Sequence, residues 1–264
     1  MLAVVPTSTR KGYAALVGRL RAAGCVFAED EARLLLAAAS TSAQVEALVA
    51  RRVAGEPLEH VLGWVKFCGR RILVEPGVFV PRRRTEFLVR SAVALPARVV
   101  VDLCCGSGAV GVAVAAALVG AQLHAVDIDP VAVRCARRNV VPIGGQVHAG
   151  DLFTPLPADL QGRVDLVVVN APYVPTDAIA SMPPEARLHE PRVALDGGAD
   201  GLDVHRRVAA TAPQWLAPGG RLLIETSRQQ ASGTAALLAG AGFAVRMARS
   251  AELDATVAIG IMLL

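Results

Sequence analysis

The first quarter of the chain carries apolar residues three and four positions apart, with polar residues between them. Leu16 and Leu20 follow this period in one run, residues 28–39 form a second, and a third starts at Ser42, which is expected to cap it. Such spacing puts the apolar side chains on one face of each helix. Residues 1–56 are therefore predicted to form a small helical domain.

The pattern changes after residue 56. Residues 63–67 and 71–74 are short alternating runs, and Cys68-Gly69-Arg70 separates them. Alternation of period two around a short glycine-containing turn is typical of a β-hairpin. Residues 57–80 are therefore predicted to be a hairpin connector between two domains.

From residue 98 onward, continuous apolar runs alternate with helical periods. The predicted strands are 98–103, 123–126, 146–149, 164–169 and 221–225, and the predicted helices are 109–119 and 130–139. This βαβ alternation indicates a parallel sheet covered on both faces. Two further strands, 244–247 and 256–263, are joined by a loop too short for a crossover helix, so they should pair antiparallel. Residues 81–264 are predicted to form a Rossmann-like α/β domain with an antiparallel terminal strand.

Composition narrows the class of protein. Hydrophobic residues make up 53% of the 264 residues, but their runs are broken by Gly, Asp or Arg and none is long enough to span a membrane. Met1 to Arg10 contains no basic segment followed by an apolar one, which argues against secretion. The five cysteines form no CxxC pair and their number is odd. These features predict a cytoplasmic protein without disulfides or a metal site.

Positive charge is concentrated at the front of the chain. Residues 1–90 hold 14 Lys and Arg against 8 Asp and Glu, a balance of +6, whereas residues 91–264 hold 13 against 15, a balance of −2. A basic surface favours an acidic partner or nucleic acid. An ordinary solvated helical surface is the alternative, because the basic residues form no stripe with interleaved aromatics.

A glycine-containing loop follows the first strand of the sheet. Its candidate cofactor-binding residues are Asp102, Cys104, Cys105, Gly106, Ser107 and Gly108. Glycines let the backbone approach a ligand, and the next helix offers free N–H groups. Cys104 and Cys105 have no histidine or metal partner nearby and are interpreted as small apolar residues of this loop.

The loop alone fits two cofactors, because residues 106–111 also match the GxGxxG pattern of dinucleotide sites. Asp127 can bind ribose hydroxyls in either case. Asp102 precedes the glycines, where it can face the ammonium of a methionine moiety but would repel a pyrophosphate. This favours S-adenosylmethionine over a nicotinamide cofactor. A helix-capping carboxylate is the other interpretation of Asp102.

Two residues after the third strand are candidates for the adenine ring. Asp151 can accept a hydrogen bond from the adenine amine, and Phe153 can cover the ring. A plain core position is the alternative for Phe153.

The sequence Asn170-Ala171-Pro172-Tyr173 follows the buried run 164–169 and forms the candidate catalytic corner, and Asn170 is also a candidate cofactor-binding residue. Open α/β sheets place ligands at such strand ends. The Asn170 side chain and the Ala171 carbonyl offer acceptors, and Tyr173 offers a flat face, which together fit a planar –NH2 group. That group is a glutamine amide or an exocyclic amine of a base. A turn residue and simple packing are the alternatives for Asn170 and Tyr173.

These residues, taken together, resemble the HemK family of protein-(glutamine-N5) methyltransferases, which modify peptide-chain release factors. The resemblance covers nearly the whole chain and includes residues 55–63, 80–86, 101–108, 170–173, 190–195, 197–202 and 218–225. It implies a class I methyltransferase sheet, S-adenosylmethionine as methyl donor, and a helical N-terminal domain that grips a protein substrate.

The chain departs from the family pattern at three places. Ala171 replaces the first proline of Asn-Pro-Pro-Tyr, Cys104 replaces the first glycine of the loop, and residues 81–86 read Pro-Arg-Arg-Arg-Thr-Glu where Pro-Arg-Pro-Glu-Thr-Glu is usual. These changes resemble an actinobacterial-type paralogue. Glu190 is expected either to orient the substrate or to pair with Arg192.

The expected function is transfer of a methyl group to a glutamine amide of a protein. The enzyme is expected to be a monomer without a membrane partner. The alternative enzyme is an N6-adenine methyltransferase acting on DNA or RNA, because the corner also fits an adenine amine. Against it, the front domain has no aromatic stacking platform. A second alternative is a protein that keeps the fold for interaction and has lost turnover.

Overall fold

A computed structural model describes residues 7–263, with side chains from Gly12 onward. Residues 1–6 lie outside the described residues; they are part of the segment whose sequence argues against secretion. The chain begins with four helices: α1 (Thr7–Ala22), α2 (Ala28–Ala38), α3 (Ser42–Val53) and α4 (Leu58–Leu62). Their buried side chains, among them Leu20, Leu35 and Val49, form a core of their own. Within residues 7–263, no helix is long and apolar enough to cross a lipid bilayer.

The start of α3 differs by one residue from the prediction. Thr41 is the cap: its hydroxyl accepts a hydrogen bond from the Gln44 backbone N–H, and the Gln44 side chain accepts one from the Thr41 N–H. Ser42 was expected to cap this helix, and that prediction was wrong. Thr41 has the extended backbone, at φ −135° and ψ 155°, that aims a cap side chain at the first turn.

The predicted hairpin is confirmed. β1 (Trp64–Phe67) and β2 (Arg70–Leu73) pair antiparallel. The helix α4 before it was not predicted, and its Val61 packs into the helical core, so that core extends past residue 56. α5 (Glu86–Ala92) follows the hairpin.

The predicted α/β sheet is also confirmed, with seven strands in the order β5-β4-β3-β6-β7-β9-β8. The strands are β3 (Val99–Leu103), β4 (Gln122–Asp127), β5 (Gln146–Ala149), β6 (Val164–Val169), β7 (Leu216–Thr226), β8 (Phe243–Ser250) and β9 (Ala255–Met262). The first five pair in parallel, whereas β9 runs antiparallel to both β7 and β8. β7 starts five residues before the predicted strand because Leu216 already pairs with Val164, ahead of a shift in register.

Helices cover both faces of this sheet. They are α5, which contacts β6, β7 and β9, together with α6 (Ala109–Ala117), α7 (Pro130–Val140), α9 (Asp203–Thr211) and α10 (Ala231–Gly240). α8 (Pro184–His189) lies in the segment between β6 and β7. Val100 and Val168 face one hydrophobic core, while Val101 and Val167 face the other. Strands buried on both faces read as continuous apolar runs. Because β3, β4, β5 and β6 run parallel, the loops that follow them lie at the same edge of the sheet.

Candidate active site

A cavity of about 310 Å³ opens at the carboxyl ends of β3, β4, β5 and β6. The strand order reverses beside β3, since β4 lies on one side of it and β6 on the other. Open α/β sheets bind ligands at such a switch point. The structure brings most of the sequence-predicted site residues to this cavity: Asp102, Cys104, Cys105, Gly106, Ser107, Asp127, Asp151, Asn170, Ala171, Pro172 and Tyr173.

Two predicted residues are not among those that line the cavity. Phe153 is 2% exposed and stacks on Trp215 at 5.7 Å between ring centroids, so it occupies the core. Its neighbour Leu152, whose φ is +48°, lines the cavity instead. Gly108 packs the loop against α7, where an added Cβ would lie 2.7 Å from the Val140 side chain.

Asp127 joins the loops after β3 and β4. Its Oδ2 accepts a hydrogen bond from the Gly106 N–H at 2.8 Å, and its Oδ1 accepts one from the Asp129 N–H at 2.9 Å. A carboxylate has about four lone-pair positions, so each oxygen keeps one for a ligand hydroxyl. Burial raises the pKa of Asp127, and the backbone N–H groups oppose that rise.

Asp102 is a buried carboxylate at the end of β3. Its Oδ2 accepts a hydrogen bond from the Gly111 N–H at 2.7 Å, so it caps α6 as well as lining the cavity. No ion pair of the described part of the chain involves Asp102. Burial without a positive partner raises the pKa of Asp102 to about 7. A ligand cation at this point would offset the cost of the buried charge.

The glycine loop adds two features that suit a polar ligand. The Ser107 hydroxyl is buried and finds no hydrogen-bond partner among the described residues, although Ser107 lines the cavity. Cys104 has a left-handed backbone with φ +54°, a conformation that glycine adopts without strain. The resemblance to the HemK family placed a glycine at this position, and the structure shows why.

The loop after β4 carries a cavity residue that was not predicted from the sequence. Ile128 follows Asp127 directly, lines the cavity, and is 56% exposed. An exposed isoleucine beside a ligand cavity offers an apolar face to a flat ring. Asp151, predicted to meet the adenine amine, forms an ion pair with Arg207 of α9, and Arg207 also lines the cavity.

The Asn170–Tyr173 corner is held from behind by the segment after α8. Gln230 Nε2 donates to the Tyr173 carbonyl at 2.8 Å and to the Asp200 carbonyl at 2.9 Å. Gly201 passes so close that an added Cβ would lie 2.3 Å from the Tyr173 carbonyl oxygen. A side chain at position 201 would therefore push the corner out of place. The sequence signal for this support was the glycine-rich segment 197–202, whose role had not been assigned.

The ion pair of Glu190 differs from the one that was considered from the sequence. Its carboxylate accepts hydrogen bonds from Arg82 at 2.7 Å and from the Val80 N–H at 3.1 Å. Arg192 instead pairs with Asp196, so the predicted Glu190–Arg192 pair was wrong. Glu190 and Arg82 both line the cavity, and their ion pair joins the loop before α5 to the loop after α8.

Behind the corner lies a second buried carboxylate, Glu225, at the end of β7. Burial raises its pKa, while hydrogen bonding from Thr85 and Tyr173 and the charge of Arg84 oppose that rise. Burial, helped by the Glu225 charge, in turn raises the pKa of Tyr173 to about 12, so the phenol stays protonated. The Asn170 Nδ2 donates to the Thr85 hydroxyl at 3.4 Å.

Known proteins that are similar to this chain are methyltransferases. Residues 69–197 match the family described as Methyltransferase small domain. The release factor glutamine methyltransferase of Geobacter sulfurreducens is 42% identical over 200 residues, which cover 74% of this chain and 69% of the relative. The enzyme of that name from Cereibacter sphaeroides is 37% identical over 252 residues, which cover 87% of this chain and 89% of the relative. The chain belongs to the HemK family.

A relative named for a different activity also matches this chain. The 4-amino-L-phenylalanine/4-methylamino-L-phenylalanine methyltransferase of Streptomyces pristinaespiralis is 38% identical over 203 residues, covering 74% of this chain and 69% of the relative. Among solved structures, a methyltransferase from Pyrococcus furiosus superposes with a TM-score of 0.58 at 15% identity, covering 74% of this chain and 90% of that one. That likeness shows the class I methyltransferase fold. S-adenosylmethionine is the methyl donor of the HemK protein.

Proposed function

We propose that this HemK protein transfers a methyl group from S-adenosylmethionine to the side-chain amide nitrogen of a glutamine in a protein, and that a peptide-chain release factor is its acceptor. The observation that carries the proposal is the Asn170–Tyr173 corner, which lines the same cavity as the donor loops. The relatives named release factor glutamine methyltransferase support the choice of acceptor.

The residues on the donor side suit S-adenosylmethionine. We assign Asp127 to the ribose hydroxyls, since its carboxylate oxygens have free lone pairs. We assign Asp102 to the ammonium, since its buried carboxylate has no cation beside it. The unpartnered Ser107 hydroxyl suits the carboxylate of the donor, and Ile128 and Leu152 suit the adenine ring. The donor supplies an electrophilic methyl group on a sulfonium.

The residues on the acceptor side hold a poor nucleophile in place. An amide nitrogen has a delocalised lone pair, so rate must come from orientation and from stabilising the developing positive charge. The Asn170 Oδ1 and the Ala171 carbonyl accept the two N–H groups of the acceptor, and the Tyr173 ring packs against its plane. No base removes a proton before transfer. Alanine in place of proline at position 171 keeps the carbonyl that this role requires.

The remaining parts of the proposal concern organisation. Residues 1–56 would bind the protein acceptor, residues 57–80 would connect the two domains, and residues 81–264 would transfer the methyl group. We further propose that the protein works as a monomer. A protein that modifies a translation factor works in the cytoplasm, and neither a membrane nor nucleic acid is needed as a partner.

A panel of acceptors tests the proposed function. The full-length protein and labelled S-adenosylmethionine are incubated separately with a release factor, a glutamine peptide from it, an adenine-containing oligonucleotide, and 4-amino-L-phenylalanine. We expect label in the release factor, on a glutamine amide by mass spectrometry. Label only in the oligonucleotide or the free amino acid would overturn the proposal. Donor binding without label in any acceptor would support an interaction protein instead.

Asn170→Ala tests the corner itself. We expect methyl transfer to fall by roughly a hundredfold or more, as when one group positioned for a transition state is removed. Donor affinity should stay within a few fold, because Asn170 acts on the acceptor. Isothermal titration and labelled transfer measure the two effects. Transfer at the unaltered rate would exclude the corner as the active site.

A further inference from the structure

Asn139, on α7, contacts two segments that are distant from it in the chain: the end of the hairpin and the glycine loop after β3. Its Oδ1 accepts a hydrogen bond from the Leu73 N–H, and its Nδ2 donates to the Leu73 carbonyl, each at 2.9 Å. The Nδ2 also donates to the Ser107 carbonyl at 2.9 Å. Asn139 therefore joins the hairpin to the donor side of the cavity.

The partners of Asn139 determine which way its amide points. A backbone N–H only donates and a carbonyl only accepts, so the Oδ1 faces the Leu73 N–H and the –NH2 faces the two carbonyls. Leu73 is the last residue of β2. Exchange of two hydrogen bonds with one residue is what a neighbouring antiparallel strand provides, and here a side chain provides it. The second hydrogen of the –NH2 is then available for Ser107 alone.

The Ser107 carbonyl lies at the point where the glycine loop enters α6. The Gly111 N–H donates to Asp102 at 2.7 Å, and α6 begins only at residue 109, so the helix does not extend back to Ser107. The N–H of the same peptide unit, that of Gly108, donates to the Cys105 carbonyl at 2.7 Å. The Ser107–Gly108 peptide is thus held at both ends, and Asn139 holds the carbonyl end.

Ser107 directs its carbonyl to α7 and its side chain to the cavity. The residue is 2% exposed and lines the cavity, and its hydroxyl has no hydrogen-bond partner within residues 7–263. A hydroxyl can donate to a carboxylate, whereas a carbonyl oxygen carries partial negative charge and repels one. A carbonyl at position 107 that turned toward the cavity would therefore oppose an anionic ligand group.

We propose that Asn139 is a positioning residue for the donor: it holds the Ser107 carbonyl against α7, so that the Ser107 hydroxyl faces the carboxylate of S-adenosylmethionine. The inference rests on the assignment of that carboxylate to Ser107 in the proposed function. Loss of Asn139 should therefore affect the amino-acid end of the donor. The nucleoside end, assigned to Asp127, Ile128 and Leu152, should bind as before.

Two ligands that differ at the amino-acid end test the inference. S-adenosylhomocysteine has this end, whereas 5′-methylthioadenosine keeps the nucleoside and sulfur but ends in a methyl group. Asn139→Leu has nearly the same shape and forms none of the three hydrogen bonds. We expect the Kd of S-adenosylhomocysteine to rise about tenfold, the scale of a hydrogen bond to a charged group, and that of 5′-methylthioadenosine to stay within about twofold.

Isothermal titration measures both Kd values. Asn139→Ala, which leaves room for water, should give the same pattern and serves if the leucine variant does not fold. A general loss of order in the cavity would raise both Kd values by the same factor. An equal rise for the two ligands, or unaltered affinity for S-adenosylhomocysteine, would overturn the inference.

The matched control is Cys135→Ala. Cys135 lies one turn before Asn139 on α7, and its Sγ donates to the same Leu73 carbonyl at 3.4 Å and not to Ser107. We expect lower stability in urea unfolding and unaltered Kd values for both ligands. A selective loss of S-adenosylhomocysteine as large as that of Asn139→Leu would show that the hairpin contact suffices, and the inference would be wrong.

Ser107→Ala separates the inference from the assignment on which it rests. This variant should also lose affinity for S-adenosylhomocysteine selectively, because it removes the hydroxyl itself. A selective loss in Ser107→Ala without one in the Asn139 variants would overturn the inference and retain the assignment. Unaltered affinity in Ser107→Ala would overturn both. These titrations contain no methyl acceptor, so the proposed glutamine methylation is judged separately by transfer to the release factor.

Discussion

Donor binding should depend steeply on pH, because Asp102 must be ionised to hold an ammonium. Burial raises the pKa of Asp102 to about 7 in the donor-free protein. A cation in contact with the carboxylate favours its charged form and lowers that pKa. A proton therefore leaves Asp102 as the donor enters, and acidic conditions oppose binding.

The size of the effect follows from the fraction of Asp102 that is already ionised. With a pKa of about 7, that fraction falls from about one half at pH ~7 to about 3% at pH ~5.5. Donor affinity should therefore fall about fifteenfold over this range, roughly 1.6 kcal/mol. The donor's own amine, with an ordinary pKa of about 7.7 to 8.0, stays largely protonated throughout.

Isothermal titration in two buffers of different ionisation enthalpy measures both the affinity and the released proton. Asp102→Asn should bind weakly and show little dependence on pH. The comparison variant is Asp127→Asn, which should also bind weakly but keep a dependence on pH, moved to lower pH because the Asp127 charge helps to raise the pKa of Asp102. An equal slope in Asp102→Asn and wild type would refute the assignment of Asp102 to the ammonium.

Four other substitutions test single contacts. Asp127→Ala should weaken donor binding by about 1.5 to 3 kcal/mol, the value of hydrogen bonds to a charged group, and calorimetry showing unaltered affinity would contradict the ribose assignment. Phe153→Leu should lower the free energy of unfolding by about 1 kcal/mol while donor affinity stays within about threefold, whereas Ile128→Ala should weaken donor binding and leave stability nearly unchanged. Arg52→Ala leaves the buried Glu31 carboxylate without its 2.7 Å ion pair and should cost about 3 kcal/mol or more in urea unfolding; a cost below about 1 kcal/mol would show that water reaches Glu31.

The sheet could be predicted because strands such as β6 are buried on both faces and are mostly apolar, with three consecutive valines at the end of β6. The catalytic corner could be found because it directly follows such a strand. Phe153 could not be placed, since a single residue decides which side chain faces the cavity and the left-handed backbone of Leu152 turns Phe153 into the core. Local sequence holds no signal for that rotation.

Contacts between distant segments were also beyond the sequence. Arg82 and Glu190 are 108 residues apart, and the only charge partner that the sequence suggested for Glu190 was the nearer Arg192. Only the folded chain shows that Arg192 lies beside Asp196. Thr85 was part of a recognised segment, yet its contact with Asn170 depends on how the turn before α5 packs against the end of β6.

The place of β9 in the sheet sets the order in which the protein can fold during synthesis. β9 lies between β7 and β8, although it follows both in the chain. Until residues 255–262 have left the ribosome, β7 has an open apolar edge, and such edges pair readily with other chains. The helical core of α1 to α4 needs only local contacts and can form early. Nascent chains interrupted before β9 should therefore combine a folded front with an aggregation-prone rear.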